Sequence, residues 1–162
     1  MPNVKLLDCT LRDGGYINDW RWGYSTARDL VDTLTRAGTD IVEVGFLRNV
    51  ESAGQLRALC DEIQTLIRSE TGYPAFIIID QEGGMVTRLP KDAVNVPGAM
   101  ALAATGSPDN ARMASEITIR QLRGVGANFN MAPVLDVNSN PANPVIGVRS
   151  FGDQAEMAAD FG

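Results

Sequence analysis

Ala75-Phe76-Ile77-Ile78-Ile79-Asp80-Gln81-Glu82-Gly83-Gly84 decides the fold class of this chain. An apolar run, Phe76 to Ile79, ends in a carboxylate and then a Gly-Gly turn. A strand without polar alternation predicts burial on both faces, as in a parallel α/β sheet. In such sheets the polar residue just past the carboxyl end of the strand faces the ligand crevice. Asp80 is therefore a site candidate on position alone.

Outward from that strand the pattern alternates strand and helix. Val4–Cys9 reads as a first strand and Ile41–Phe46 as a second, with Glu43 inside it. Ala127–Ala132 reads as the fourth. Tyr24–Ala37 has helical spacing and stops at Gly38, a typical position after a helix C-terminus. Ala53–Ser69 carries Leu56, Leu59, Cys60, Ile63 and Leu66 on one stripe. Ser52 with Gln55 three residues on predicts a capping box at its start. A short helix is expected near Ala99–Ala104. Ser107 and Pro108 read as the cap and first residue of a helix over Asp109–Leu122, ended by Gly124 and Gly126. A last helix is expected at Asp153–Phe161.

Four βα units fit a doubly wound sheet or part of a (β/α)₈ barrel. A full barrel takes about 250 residues, and the chain has 162. The expectation is an α/β half-barrel, (βα)4, forming one domain over 1–162. Bare edges at its first and fourth strands would invite pairing with a second copy, closing an eight-stranded barrel as a homodimer.

Composition narrows the chemistry. Net charge is −6 and there is no histidine. No basic stripe suggests nucleic acid, and no apolar run is long enough to span a bilayer. Neither nucleic acid nor membrane is expected as a partner. Without histidine, Ser-His-Asp and Cys-His sites and imidazole-dependent zinc sites are excluded. Two cysteines, Cys9 and Cys60, far apart in sequence, read as buried thiols of a cytoplasmic protein.

Residues 6–46 contain Thr10-Leu11-Arg12-Asp13-Gly14 and, on the second strand, Glu43-Val44-Gly45-Phe46. This segment resembles the start of the metal-dependent pyruvate aldolase and HMG-CoA-lyase-like barrels. The resemblance implies that Arg12 stabilises an enolate and that Asp13 binds a divalent metal. It matches Glu43 to the family's second-strand acid. The His-x-His pair that completes the family's ligand set has no match. No cofactor is expected beyond a weakly bound divalent cation.

From about residue 47 the chain resembles the amino-terminal half of glycoside hydrolase family 3, the β-N-acetylhexosaminidase branch. The matching residues are Asp80-Gln81-Glu82-Gly83-Gly84 with Arg88, then Ala132-Pro133-Val134-Leu135-Asp136-Val137-Asn138, then Gly147-Val148-Arg149-Ser150-Phe151-Gly152. The resemblance implies that Asp80, Arg88 and Arg149 bind the sugar and that Asp136 lines the same mouth. The family's Lys-His pair, histidine acid/base loop and nucleophilic aspartate have no match, and Met85 stands where an arginine is common.

The two resemblances meet near residues 46–48, which reads as an engineered or selected chimera of barrel fragments. The expected function is a half-barrel scaffold without established catalysis, keeping a remnant site for N-acetylglucosamine-like sugars. β-N-Acetylhexosaminidase-like glycoside hydrolysis is one alternative and a metal-dependent aldolase-like site another.

Overall fold

A computed structural model describes residues 4–43 and 50–162. The expected junction near residues 46–48, and the end of the expected second strand, lie outside the described residues. The chain divides into two compact units, residues 1–49 and 50–162.

In the first unit, β1 (Leu7–Asp8) pairs in parallel with β2 (Ile41–Val42), Leu7 opposite Ile41. Between them lie α1 (Thr10–Asp13), α2 (Gly15–Asn18) and α3 (Tyr24–Arg36). Sequence pattern finds α3 but not α1 and α2. These two single turns are held by tertiary bonds instead. The Trp20 indole N–H donates to the Arg12 carbonyl at 3.0 Å, and that of Trp22 to the Leu11 carbonyl at 2.9 Å. Leu11 is fully buried beneath them.

The second unit contains α4 (Ala53–Thr71), β3 (Ile78–Ile79), α5 (Ala99–Ala103), α6 (Pro108–Val125), β4 (Phe129–Asn130) and α7 (Ala155–Phe161). A single 3-10 turn occupies Gly147–Arg149. β3 and β4 pair in parallel, Ile78 opposite Phe129. Ser52 caps α4 by accepting the Gln55 N–H at 3.2 Å, while the Gln55 side chain takes the N–H of Glu51 rather than that of Ser52. Asp92 accepts from the Ala53 N–H at the same helix start. Ser107 stands at the α6 N-cap and Pro108 inside its first turn, as expected, but the serine hydroxyl makes no capping bond.

Helices α4 and α6 cover one face of the β3–β4 pair. Leu56, Cys60, Ile77, Leu122, Val125 and Ala127 meet there with Leu89. Burying one leucine-sized side chain stabilises by about 1.5–3 kcal/mol, so this cluster is the main source of the unit's stability. A second cluster joins Ala99, Ala103, Ala111 and Phe151.

The expectation of a strand buried on both faces is corrected here. Ile77 is buried, but Phe76 and Ile78 are exposed, as are Phe129 on β4 and Met131 just past it. With two described strands in the β3–β4 sheet, helices cover one side only, and alternate side chains point away from them. The strands are also shorter than the apolar run predicts, because side-chain amides take over their hydrogen bonding. Asn128 accepts from the Ile77 N–H at 2.9 Å and donates to the Ala75 carbonyl at 2.9 Å. Gln64 grips Ala75 through the same two types of bond.

Candidate functional site

The carboxyl end of β3 runs straight into Asp80, Gln81 and Glu82. Asn130, at the end of β4, receives the Gln81 N–H at 3.0 Å and donates to its carbonyl at 3.2 Å. The turn that follows needs glycine twice. Gly83 and Gly84 both have left-handed backbone angles, φ 88° and 57°. A Cβ on Gly83 would stand 2.8 Å from the Val96 carbonyl oxygen, and one on Gly84 2.9 Å from the Gly98 Cα. The long 83–106 connection is thereby packed back onto the end of β3.

Glu82 and Arg149 form a bidentate ion pair. Nε donates to Oε2 at 2.9 Å and Nη2 to Oε1 at 2.7 Å. The glutamate side chain is 10% exposed and the arginine 29%. Arg149 Nη1 also donates to the Val145 carbonyl at 3.0 Å within the 133–152 loop, and the pair with Glu82 ties that loop to the end of β3. Its guanidinium is held above its ordinary pKa, first by the hydrogen bond to Glu82 and further by the nearby charges of Asp136 and Asp80. Glu82 thus holds the arginine directly, while Asp80 and Asp136 act on it only as charges in its neighbourhood. The Asp80 and Asp136 side chains are exposed, and neither takes a hydrogen bond from the protein among the described residues.

Arg88 is exposed on the return of the turn, where Nη1 donates to its neighbour's carbonyl, that of Thr87, at 3.3 Å. Beside the ion pair opens a cavity of about 970 Å³ between α5, α6 and α7. Glu82 and Arg149 line it, as does Met85, while Asp80, Arg88 and Asp136 lie outside its wall. Glu82 is the residue that sequence reasoning did not assign to the site. Its signal was present in the Asp80-Gln81-Glu82 run, but its partner is 67 positions away.

The other candidates sit in the first unit. Arg12 Nε donates to Asp13 at 2.9 Å and Nη1 to Glu43 at 3.2 Å. Asp13 and Glu43 are therefore brought to one guanidinium. Among the described residues no group of three or more carboxylates or thiols is placed to hold a metal ion. Cys9 is half-buried, and its thiol is pushed above its ordinary pKa, chiefly by its hydrogen bond to Glu43 and then by burial. No described helix is long and apolar enough to cross a membrane.

Residues 27–162 match the glycosyl hydrolase family 3 N terminal domain, and the chain belongs to that family. It is 39% identical over 123 residues to beta-hexosaminidase A of Pseudoalteromonas piscicida, covering 72% of this chain and 20% of that protein. It is 35% identical over 135 residues to the beta-hexosaminidase of Thioalkalivibrio sulfidiphilus, covering 80% of this chain and 37% of the relative. The fold is similar to a glycoside hydrolase family 3 beta-N-acetylglucosaminidase from a Paenibacillus species. That similarity has a TM-score of 0.75 and 39% identity, covering 97% of this chain and 28% of the other. The chain thus spans well under half the length of these relatives. The family match begins at residue 27, ahead of the expected junction.

Proposed function

We propose that this chain supplies the substrate-recognition mouth of a β-N-acetylhexosaminidase-type glycoside hydrolase. The observation that carries the reading is the bidentate Glu82–Arg149 ion pair at the end of β3, with the exposed carboxylates of Asp80 and Asp136 as neighbouring charges. Three of the five guanidinium N–H donors are committed to Glu82 and Val145, which leaves two for a ligand. Asp80 and Asp136, free of protein donors, accept from sugar hydroxyls through charge-assisted bonds. Arg149 donates to a hydroxyl or to the acetamido carbonyl. Arg88 reaches the sugar from the return of the turn.

Glycoside hydrolysis needs two groups flanking the scissile bond. Asp80 and Asp136 act here as hydroxyl ligands, and the chain holds no histidine to move a proton near neutrality. Its share of the reaction is binding, with hydrolysis a property proposed for the longer proteins of the family. The test is thermal stabilisation by N-acetylglucosamine. A ligand at 100 times its Kd adds about 2.7 kcal/mol. The wild-type melting point should rise with N-acetylglucosamine and that of Asp80→Ala should not. An equal rise in the variant, or none in the wild type, overturns the reading.

A homodimeric barrel is a second proposal. It is supported by the exposed apolar side chains Ile78 on β3 and Phe129 on β4, with Phe76 and Met131 exposed just outside the two strands. Light scattering on a sizing column checks it, and a well-behaved monomer at micromolar concentration rejects it. Dual origin is a third proposal: a boundary between compact units falls after residue 49, although the family match runs across it from residue 27. A weak divalent-cation site at Asp13 and Glu43 goes with it. Stabilisation by Mg²⁺ that disappears in Asp13→Ala is the outcome that reading requires.

A further inference from the structure

Among the described residues three polar side chains are buried: Gln81 at 2% exposure, Ser150 at 0% and Thr118 at 6%. Gln81 follows Asp80 and Ser150 follows Arg149 in the chain, whereas Thr118 lies on α6 in the wall of the neighbouring cavity. We propose that Gln81 and Ser150 are its positioning residues, each fastening two of the four sugar-facing residues to one another. The proposal rests on the sugar-binding reading above.

Gln81 couples Asp80 to Arg88. Its backbone N–H, in the peptide that leaves Asp80, is held by Asn130 at 3.0 Å. Its side-chain Oε1 accepts from the N–H groups of Arg88 at 2.8 Å and Leu89 at 3.0 Å. The Thr87 hydroxyl lies 2.9 Å from Nε2 and satisfies that end of the amide. One buried side chain therefore sets where the turn returns, and so where Arg88 leaves the backbone relative to Asp80.

Ser150 couples Asp136 to Arg149. It follows Arg149 directly, and its hydroxyl lies 2.6 Å from the Asp136 carbonyl, donating to it. The same oxygen accepts the Gly152 N–H at 3.1 Å. The Gly152 carbonyl in turn accepts the Asn138 N–H at 2.8 Å, which fastens the backbone that follows Asp136. A buried donor or acceptor left unpaired is costly, so each polar side chain enforces one loop geometry.

The experiment compares Gln81→Met, Ser150→Ala and Cys60→Ala, a buried change in the α4–α6 cluster away from the cavity, with the wild type. Two measurements are made: N-acetylglucosamine affinity by calorimetry and amide hydrogen exchange by NMR. Gln81→Met and Ser150→Ala should each weaken binding about tenfold or more, whereas Cys60→Ala should leave it within about twofold. Exchange protection should fall at Arg88 and Leu89 in the first variant and at Gly152 in the second. Ser150→Thr, which keeps the hydroxyl, should restore affinity. Asn130→Ala, a milder loosening of the Gln81 peptide, serves where Gln81→Met does not fold and should also weaken binding. Unchanged affinity in Gln81→Met and Ser150→Ala, or equal losses in all three variants, overturns the proposal. If the wild type binds no sugar, the sugar-binding reading fails on its own. Exchange then decides: losses confined to the named amides uphold the two couplings, and unaltered protection rejects them.

Discussion

Gly126 rests against Cys60 so closely that a Cβ at position 126 would lie 2.8 Å from the Cys60 Cβ. That contact is where the end of α6 meets α4. Gly126 also has φ 87° as the residue that closes α6. Gly126→Ala meets both a steric and a conformational penalty and should cost about 2–4 kcal/mol. Gly124 is the internal control. It lies inside the helix, and a Cβ added there would meet nothing within 4 Å, so Gly124→Ala should stabilise by about 0.5–1 kcal/mol. Urea denaturation of the two variants gives opposite shifts in midpoint.

Asn128→Ala tests whether side chains finish the β3 ladder. It removes the acceptor of the Ile77 N–H and the donor to the Ala75 carbonyl. The expected loss is about 1–3 kcal/mol. Asn128→Asp keeps the acceptor and should lose less. Hydrogen exchange at the Ile77 amide separates the two variants, with fast exchange expected only in the alanine form.

Asp40 links the first unit to pH. It accepts from Lys5 Nζ at 2.8 Å and from the Leu6 N–H at 2.9 Å. These bonds, that of Lys5 first, hold its pKa below the ordinary carboxylate value. A carboxylate lowered on folding adds stability above its unfolded pKa, about 3.9, and loses it as pH falls through the folded value. Asp40→Asn should therefore melt below the wild type at about pH 7 and converge with it below about pH 3.9. The pair is exposed, so the gap is small and salt narrows it.

Cys9 and Cys60 should differ in reactivity for different reasons. The Cys9 thiol is held protonated chiefly by its bond to Glu43, that of Cys60 chiefly by burial. Glu43→Ala removes the Cys9 restraint and leaves Arg12 beside it, so the thiolate becomes easier to form. Iodoacetamide labelling read by peptide mass should speed up at Cys9 alone, and its pH–rate midpoint should move down. Cys60 should react only when the protein unfolds.

The helices are legible in the sequence because their signals are local. Apolar spacing and Gly38 bound α3, the Ser52–Gln55 pair marks the start of α4, and Pro108 marks that of α6. The Asp80-Gln81-Glu82-Gly83-Gly84 run places the candidate site, and the family resemblance assigns Arg149 to it. What escapes are the pairings across long separations. Nothing near Glu82 announces Arg149, and nothing in Thr10–Asn18 announces the indoles that hold its two turns. The apolar run at 76–79 locates β3 but overstates its length and its burial. Those depend on what Asn128 and Gln64 do and on how many strands stand beside it.

The amides of Gln64, Asn128 and Asn130 hold β3 from the flanks, and Gln121 grips Val94 in the same way at 2.6 and 3.0 Å. A sheet held by its main chain is almost untouchable by substitution, because every residue brings the same peptide group. Here the rungs that bound β3 are written in the genetic code, one codon each. Evolution or a protein engineer can loosen, shift or re-aim the strand end that carries Asp80 without altering any residue that meets a ligand.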